Sequence, residues 1–225
     1  MTSNQILRWG LKPAVFAASL APFFLLAWAL YTGNVGADPL NEITHATGDW
    51  ALRFLVITLM VTPIRRLTGW NGVIRFRRMV GLFVFFYGCV HLLIFIAFDR
   101  LASLNFPSLL SPATYAVLAR SIGGEIVKRP YINVGFISWV CMLLLALTST
   151  TGMIRRMGGK RWQALHRLVY VSAIAGVLHY WWLVKADISG PQAYAIVFAV
   201  LLGLRLWWVF RKRATVPARV VTAQS

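Results

Sequence analysis

Six stretches of the chain are apolar for long enough to cross a lipid bilayer, and the polar residues gather between them. A hydrocarbon core about 30 Å thick takes about 20 helical residues to span. Runs of that order cover 13–31, 46–64, 79–98, 131–154, 162–184 and 188–210. The first, third and fourth hold no Lys, Arg, Asp or Glu, whereas the second carries Asp49 and Arg53 at its start and the sixth has Arg205 near its end. The fifth has Arg167 one turn in, where a long side chain snorkels to the interface. The first run is longer than the apolar segment of a cleavable signal peptide and reads as a retained anchor. The pattern predicts an all-α integral membrane bundle of about six transmembrane helices, one domain over 1–225.

Composition agrees. Of 225 residues 59% are hydrophobic and only 13% charged, against about 25% charged in soluble domains. A net charge of +17 raises nucleic acid as a partner, but basic clusters flanking apolar spans report orientation in a membrane instead. Most of the 23 Lys and Arg lie in four places: Arg8 and Lys12, the Arg65–Arg78 connection, the Arg155–Arg161 connection, and the Arg211–Arg219 tail. These alternate along the chain, so the positive-inside rule puts both termini in the cytoplasm. All six acidic residues, Asp38, Glu42, Asp49, Asp99, Glu125 and Asp187, fall in or beside the three segments on the other side. Cys89 and Cys141 lie inside apolar runs and read as small hydrophobes, with no disulfide or cysteine metal site expected. The one long connection, from Arg100 to Pro130, either lies partly on the membrane surface through Leu101, Leu104, Leu109, Leu110 and Leu118 or is a solvated spacer.

Chemistry enters with the histidines. Ionisable residues inside a span are costly and point to function, and imidazole is a common axial ligand of haem iron. His91 is in the third run, His166 and His179 in the fifth. At 1.5 Å per residue, His91 lies about 20 Å beyond Arg78, and His179 the same distance beyond His166. His91 and His179 therefore share one level in the outer half and are expected to clamp one iron. The inner level offers only His166, facing Arg77 or Arg78; a second haem there is either five-coordinate or takes a weaker sixth ligand such as Met79. Otherwise His166 is a helix-to-helix hydrogen bonder, or it bonds a flavin or quinone. Thirteen residues on a regular helix leave an offset of about 140°. Either the helix is distorted, with Gly176 a candidate, or His166 meets its cofactor from another side. His45, outside the membrane, is either structural or touches the edge of a cofactor or a quinone. Arg77 and Arg78 are either positive-inside anchors or hold an anionic group through paired donors.

Taken in order, Gly36-Ala37-Asp38-Pro39, His45-Ala46-Thr47-Gly48, Thr62-Pro63, Arg77-Arg78 before Gly81-Leu82, His91, Arg129-Pro130-Tyr131, Thr148-Ser149-Thr150, Trp162-Gln163-Ala164-Leu165-His166 and His179-Tyr180 form a pattern over almost the whole chain. It resembles the MsrQ family, the haem-binding membrane subunits of periplasmic methionine sulfoxide reductase systems, within the ferric reductase-like transmembrane superfamily. The resemblance implies a bacterial inner membrane, b-type haem, an FMN, and electrons drawn from the quinone pool or a cytosolic flavin reductase. It also implies delivery to MsrP, a periplasmic molybdopterin enzyme that reduces methionine sulfoxide in proteins. The superfamily's two-haem members place histidine pairs on two helices, and this chain has arginine where the fourth histidine falls. No Gly-rich dinucleotide fingerprint follows a strand, so the electron source is expected to be another molecule. Two further readings are a stand-alone transmembrane ferric reductase and, in a different class, a small histidine-dependent transporter or assembly factor.

Overall fold

The computed structural model describes residues 5–97, 128–184 and 186–214, with 116, 117, 119, 120, 123 and 124 between them. Most of the Arg100–Pro130 connection, and so the expected surface role of its leucines, lies outside the described residues. Among the described residues eight α-helices are delimited in order: α1 (Lys12–Tyr31), α2 (Pro39–Thr68), α3 (Ile74–Ile94), α4 (Pro130–Leu147), α5 (Thr151–Met157), α6 (Gly159–Leu165), α7 (Leu168–Leu183) and α8 (Ser189–Ala214). Among the described residues five stretches are long and apolar enough to cross a membrane: Ile6–Tyr31, Pro39–Thr68, Asn71–Ala97, Pro130–Leu147 and Ser189–Arg211. The fold is an all-α, multi-pass transmembrane bundle. The expected fifth run is divided between α6 and α7. At 16 residues, α7 is about 24 Å long. Likewise the expected 131–154 run stops at Leu147, and α5 restarts at Thr151 with the Thr150 hydroxyl capping Met153 N–H.

Local chemistry sets the ends of the longest helix. Asp38 caps α2 by accepting from Asn41 N–H at 3.1 Å, and Pro39, with φ fixed near helical values, opens the first turn. Gly69 closes it at φ +70°, a left-handed conformation that favours glycine. The charges inside its expected span are neutralised locally, since Arg53 pairs with Asp49 at 2.6 Å and the Tyr194 hydroxyl donates to the same carboxylate.

Two prolines inside helices create backbone groups that other helices then satisfy. Pro22 interrupts α1, and the fully buried Tyr87 of α3 fits its hydroxyl into the ladder there. It accepts from Phe23 N–H at 3.2 Å and donates to Ser19 C=O at 2.8 Å. Pro63 has no N–H for the carbonyl of Leu59 four residues earlier, and Arg205 of α8 donates to that carbonyl at 2.7 Å. Both contacts pin one helix against another in a medium that offers no water.

The core is a layer of Leu52, Phe54, Leu55 and Leu59 from α2, Val80, Phe83, Val84 and Tyr87 from α3, Ala173 and Val177 from α7, and Phe198 and Leu201 from α8. α2 packs along α3, and α4 along α7. The second pair is close because its contact residues are small: Ser138 Oγ donates to Ser172 C=O at 2.9 Å, and Ser172 Oγ returns a bond to Ser138 C=O at 3.3 Å. Large apolar side chains such as Phe24, Trp28, Ile196 and Leu206 point away from the bundle, as lipid-facing surface does. Asp49 meets Tyr194 toward one end of the bundle and Arg66 stacks on Trp208 at the other. We call these the acidic and basic ends.

Candidate cofactor site

Toward the acidic end, α3 and α7 bring His91 and His179 close together within the bundle. Their ring centroids are 6.1 Å apart and their planes nearly perpendicular, at 84°. Each imidazole is held by its Nδ1 on a backbone carbonyl of a neighbouring helix: His91 on Thr44 C=O at 3.0 Å, His179 on Tyr131 C=O at 2.7 Å. A carbonyl only accepts, so Nδ1 carries the proton in both rings and Nε2 keeps its lone pair. An anchored Nδ1–H that fixes tautomer and orientation is the usual partner arrangement of a metal-binding histidine. The hydroxyl of Thr47, 3.4 Å from Nδ1 of His91, already donates to Ile43 C=O.

Two glycines make this placement possible. Gly48 and Gly135 each lie four residues after the carbonyl that the imidazole bonds, on the same face of the same helix. A Cβ at Gly135 would stand 2.6 Å from His179 Nδ1, and one at Gly48 would stand 3.2 Å from His91 Cε1. Each ring therefore rests in a notch of bare backbone.

A cavity of about 510 Å³ opens beside the pair, within the size range of small-molecule and cofactor sites. Its walls are mostly apolar, including Leu52, Val84 and Met142, with Asp49, His45 and Arg129 among its polar lining. His45 thus lines the cavity, its ring 6.3 Å from Tyr180. Among the described residues no group of three or more His, Cys, Asp and Glu side chains could hold a bare metal ion. Two opposed imidazoles suit instead a metal whose remaining positions are filled by a macrocycle, and the free Nε2 atoms beside a roomy apolar cavity fit such a group.

The other predicted residues are elsewhere. His166 sits toward the basic end, in the turn between α6 and α7, with Nε2 3.3 Å from Thr148 Oγ1 and its ring 3.8 Å from that of Trp162. The helix distortion falls here, at His166 and Arg167, and α7 runs unbroken through Gly176. Of the adjacent arginines, Arg77 is half-buried and within electrostatic range of His166, whereas Arg78 is exposed. Met79 packs against the core layer. Cys89 and Cys141 are free thiols. The two glycine notches were not singled out from the sequence. Their signal was a glycine four residues after Thr44 and after Tyr131, which means nothing until the neighbouring helix is known.

A helical bundle crossing a membrane with paired histidines at one level is the architecture of transmembrane redox components, and residues 47–177 match the family model described as ferric reductase like transmembrane component. Curated proteins named protein-methionine-sulfoxide reductase heme-binding subunit MsrQ are similar over nearly their whole length. That of Herminiimonas arsenicoxydans is 47% identical over 91% of this chain and 88% of its own. The Ralstonia nicotianae protein is 50% identical over 88% and 85%, and the Xanthomonas euvesicatoria protein 46% identical over 92% and 91%. The chain belongs to the MsrQ family of ferric reductase-like transmembrane proteins.

Proposed function

We propose that this chain is the haem-binding electron-transfer subunit of a methionine sulfoxide reductase system, with His91 and His179 as the residues that would hold one b-type haem. The observation that carries this reading is the close pair of imidazoles, each anchored through Nδ1 on a backbone carbonyl with Nε2 free. When bound, the haem supplies a one-electron couple. The protein supplies everything else. Thr44 and Tyr131 hold the ring tautomers, Gly48 and Gly135 set the ring positions, and the apolar walls keep water and outside ligands from the metal.

The wider assignment follows the family. The relatives are named as heme-binding subunits of a protein-methionine-sulfoxide reductase. On that basis the chain sits in a bacterial inner membrane with both termini in the cytoplasm and passes electrons to the periplasmic molybdopterin enzyme MsrP. The donor is the quinone pool or a cytosolic flavin reductase, with FMN as a second cofactor. His166, with Arg77 and Arg78, marks the donor side, because these residues lie at the basic end that the positive-inside rule turns to the cytoplasm.

Purified protein in detergent should show the sharp reduced bands of low-spin b-type haem. His91→Ala and His179→Ala should each lose or grossly perturb them. Colourless folded protein would remove the electron-transfer reading in favour of a transporter or assembly factor, and unchanged spectra in both variants would refute the axial pair.

A further inference from the structure

Among the described residues, the basic end holds a group of cations with no anionic partner. Arg77 of α3 makes no hydrogen bond or ion pair among the described residues, yet it is half-buried and within electrostatic range of Arg205, Arg65 and Tyr170. Arg205 comes from the apolar helix α8. It donates to the Tyr170 hydroxyl and to Leu59 C=O, lies 5.2 Å over the Tyr170 ring, and leaves its Nε buried with no partner. Both of its partners are neutral, so its charge is uncompensated.

Among the described residues no hydrogen bond or ion pair joins a carboxylate to either arginine. Asp49, the acidic residue of α2 closest in sequence to Arg65, is 16 residues away, about 24 Å along the helix. The remaining acidic residues belong to the opposite side of the membrane by sequence. Charged groups within a membrane bundle are kept when they pair with something, and two like charges brought together by three helices lack that pairing.

We propose that Arg77, Arg205 and the Tyr170 hydroxyl form a binding site for a phosphate group, opening to the basic face of the membrane, with His166 at its edge. Guanidinium forks match phosphate oxygens through paired, charge-assisted bonds. Because the Tyr170 oxygen accepts from Arg205, its own O–H is left to donate. Depth fits as well: Arg205 is six residues from Arg211, where the apolar stretch ends, or about 9 Å along the helix. That is where a lipid phosphate or the phosphate of a bound mononucleotide would meet the bundle. The site is independent of the haem reading, and its failure would leave His91 and His179 untouched.

The test uses the full chain in phosphatidylcholine nanodiscs, with wild type beside Arg77→Gln, which removes no hydrogen bond among the described residues, and Arg205→Lys. One arm titrates FMN and riboflavin, which lacks the phosphate, by flavin fluorescence. The other measures phosphatidylglycerol and cardiolipin retained through purification. A flavin phosphate predicts FMN binding at least tenfold tighter than riboflavin and at least tenfold weakened by Arg77→Gln, with riboflavin unaffected. A lipid phosphate predicts anionic lipid retained by wild type and reduced severalfold in both variants. Either result supports the site and names its source. FMN and lipid retention both indifferent to Arg77→Gln, with the melting temperature unchanged, would overturn it.

Discussion

Gly135 and His179 are matched so closely that one methyl group separates a fitted ring from a collision. The Cβ of an alanine at 135 would lie 2.6 Å from Nδ1, the atom that bonds Tyr131 C=O. Both contacts of the ring would be disturbed at once, because neither helix backbone nor imidazole is a flexible chain end. Gly135→Ala should therefore shift or abolish the low-spin haem spectrum, while costing about 1–3 kcal/mol of stability as an overpacked site. The looser contact of Gly48 with His91, at 3.2 Å, predicts a smaller spectral change from Gly48→Ala. Wild-type haem content and reduction potential in Gly135→Ala would show that the notch does not position the ligand.

The bond between Arg205 and Leu59 C=O exists because Pro63 has no N–H to offer. Arg205→Leu should destabilise the protein by about 1–3 kcal/mol, the cost of an unpaired buried carbonyl. Restoring the missing donor should recover part of it, so the loss should be smaller in a Pro63→Ala background than in wild type. A thermal double-mutant cycle in detergent reads this coupling. Additive effects would mean that the Arg205 contact is incidental.

How much of this was legible in the sequence depends on the range of the interaction. The apolar runs and the common level of His91 and His179 follow from helical rise alone, and the structure brings those two rings together. The break at His166 and Arg167 was not legible, because the residues around it, from Trp162 to Tyr170, include neither proline nor glycine. The extension of α2 beyond 46–64 was obscured by the polar residues at its two ends, Asn41, Glu42 and His45 before the run and Arg65 and Arg66 after it. The glycine notches and the Arg205 bridge join residues more than 40 positions apart. Only the packing of one helix on another reveals them.

The orientation prediction rests on charge. Reporter fusions after Arg66, Arg156 and Arg213 should all give cytoplasmic activity, since each follows or lies within a basic connection of the same end. A periplasmic signal at any one of them would overturn the orientation of that segment.

His166 decides what lies at the donor side. Its Nε2 faces the Thr148 hydroxyl, and Trp162 both covers the ring and donates to Thr148 C=O at 2.9 Å, so histidine, tryptophan and threonine form one unit between α4, α6 and α7. The thirteen residues from His166 to His179 correspond to about 20 Å of helical rise. The two sites therefore share no side chain, and the spectrum of a haem held by His91 and His179 should survive His166→Ala. If His166 belongs to the path from the donor, the same variant should slow haem reduction by a cytosolic flavin reductase or a quinol. Trp162→Phe should slow it less, keeping a ring over the imidazole while losing the bond to Thr148. Stopped-flow reduction and static spectra on one sample separate the outcomes. Normal kinetics would make His166 a structural link between helices, and loss of the low-spin bands would show that the two ends of the bundle are coupled through α7 after all.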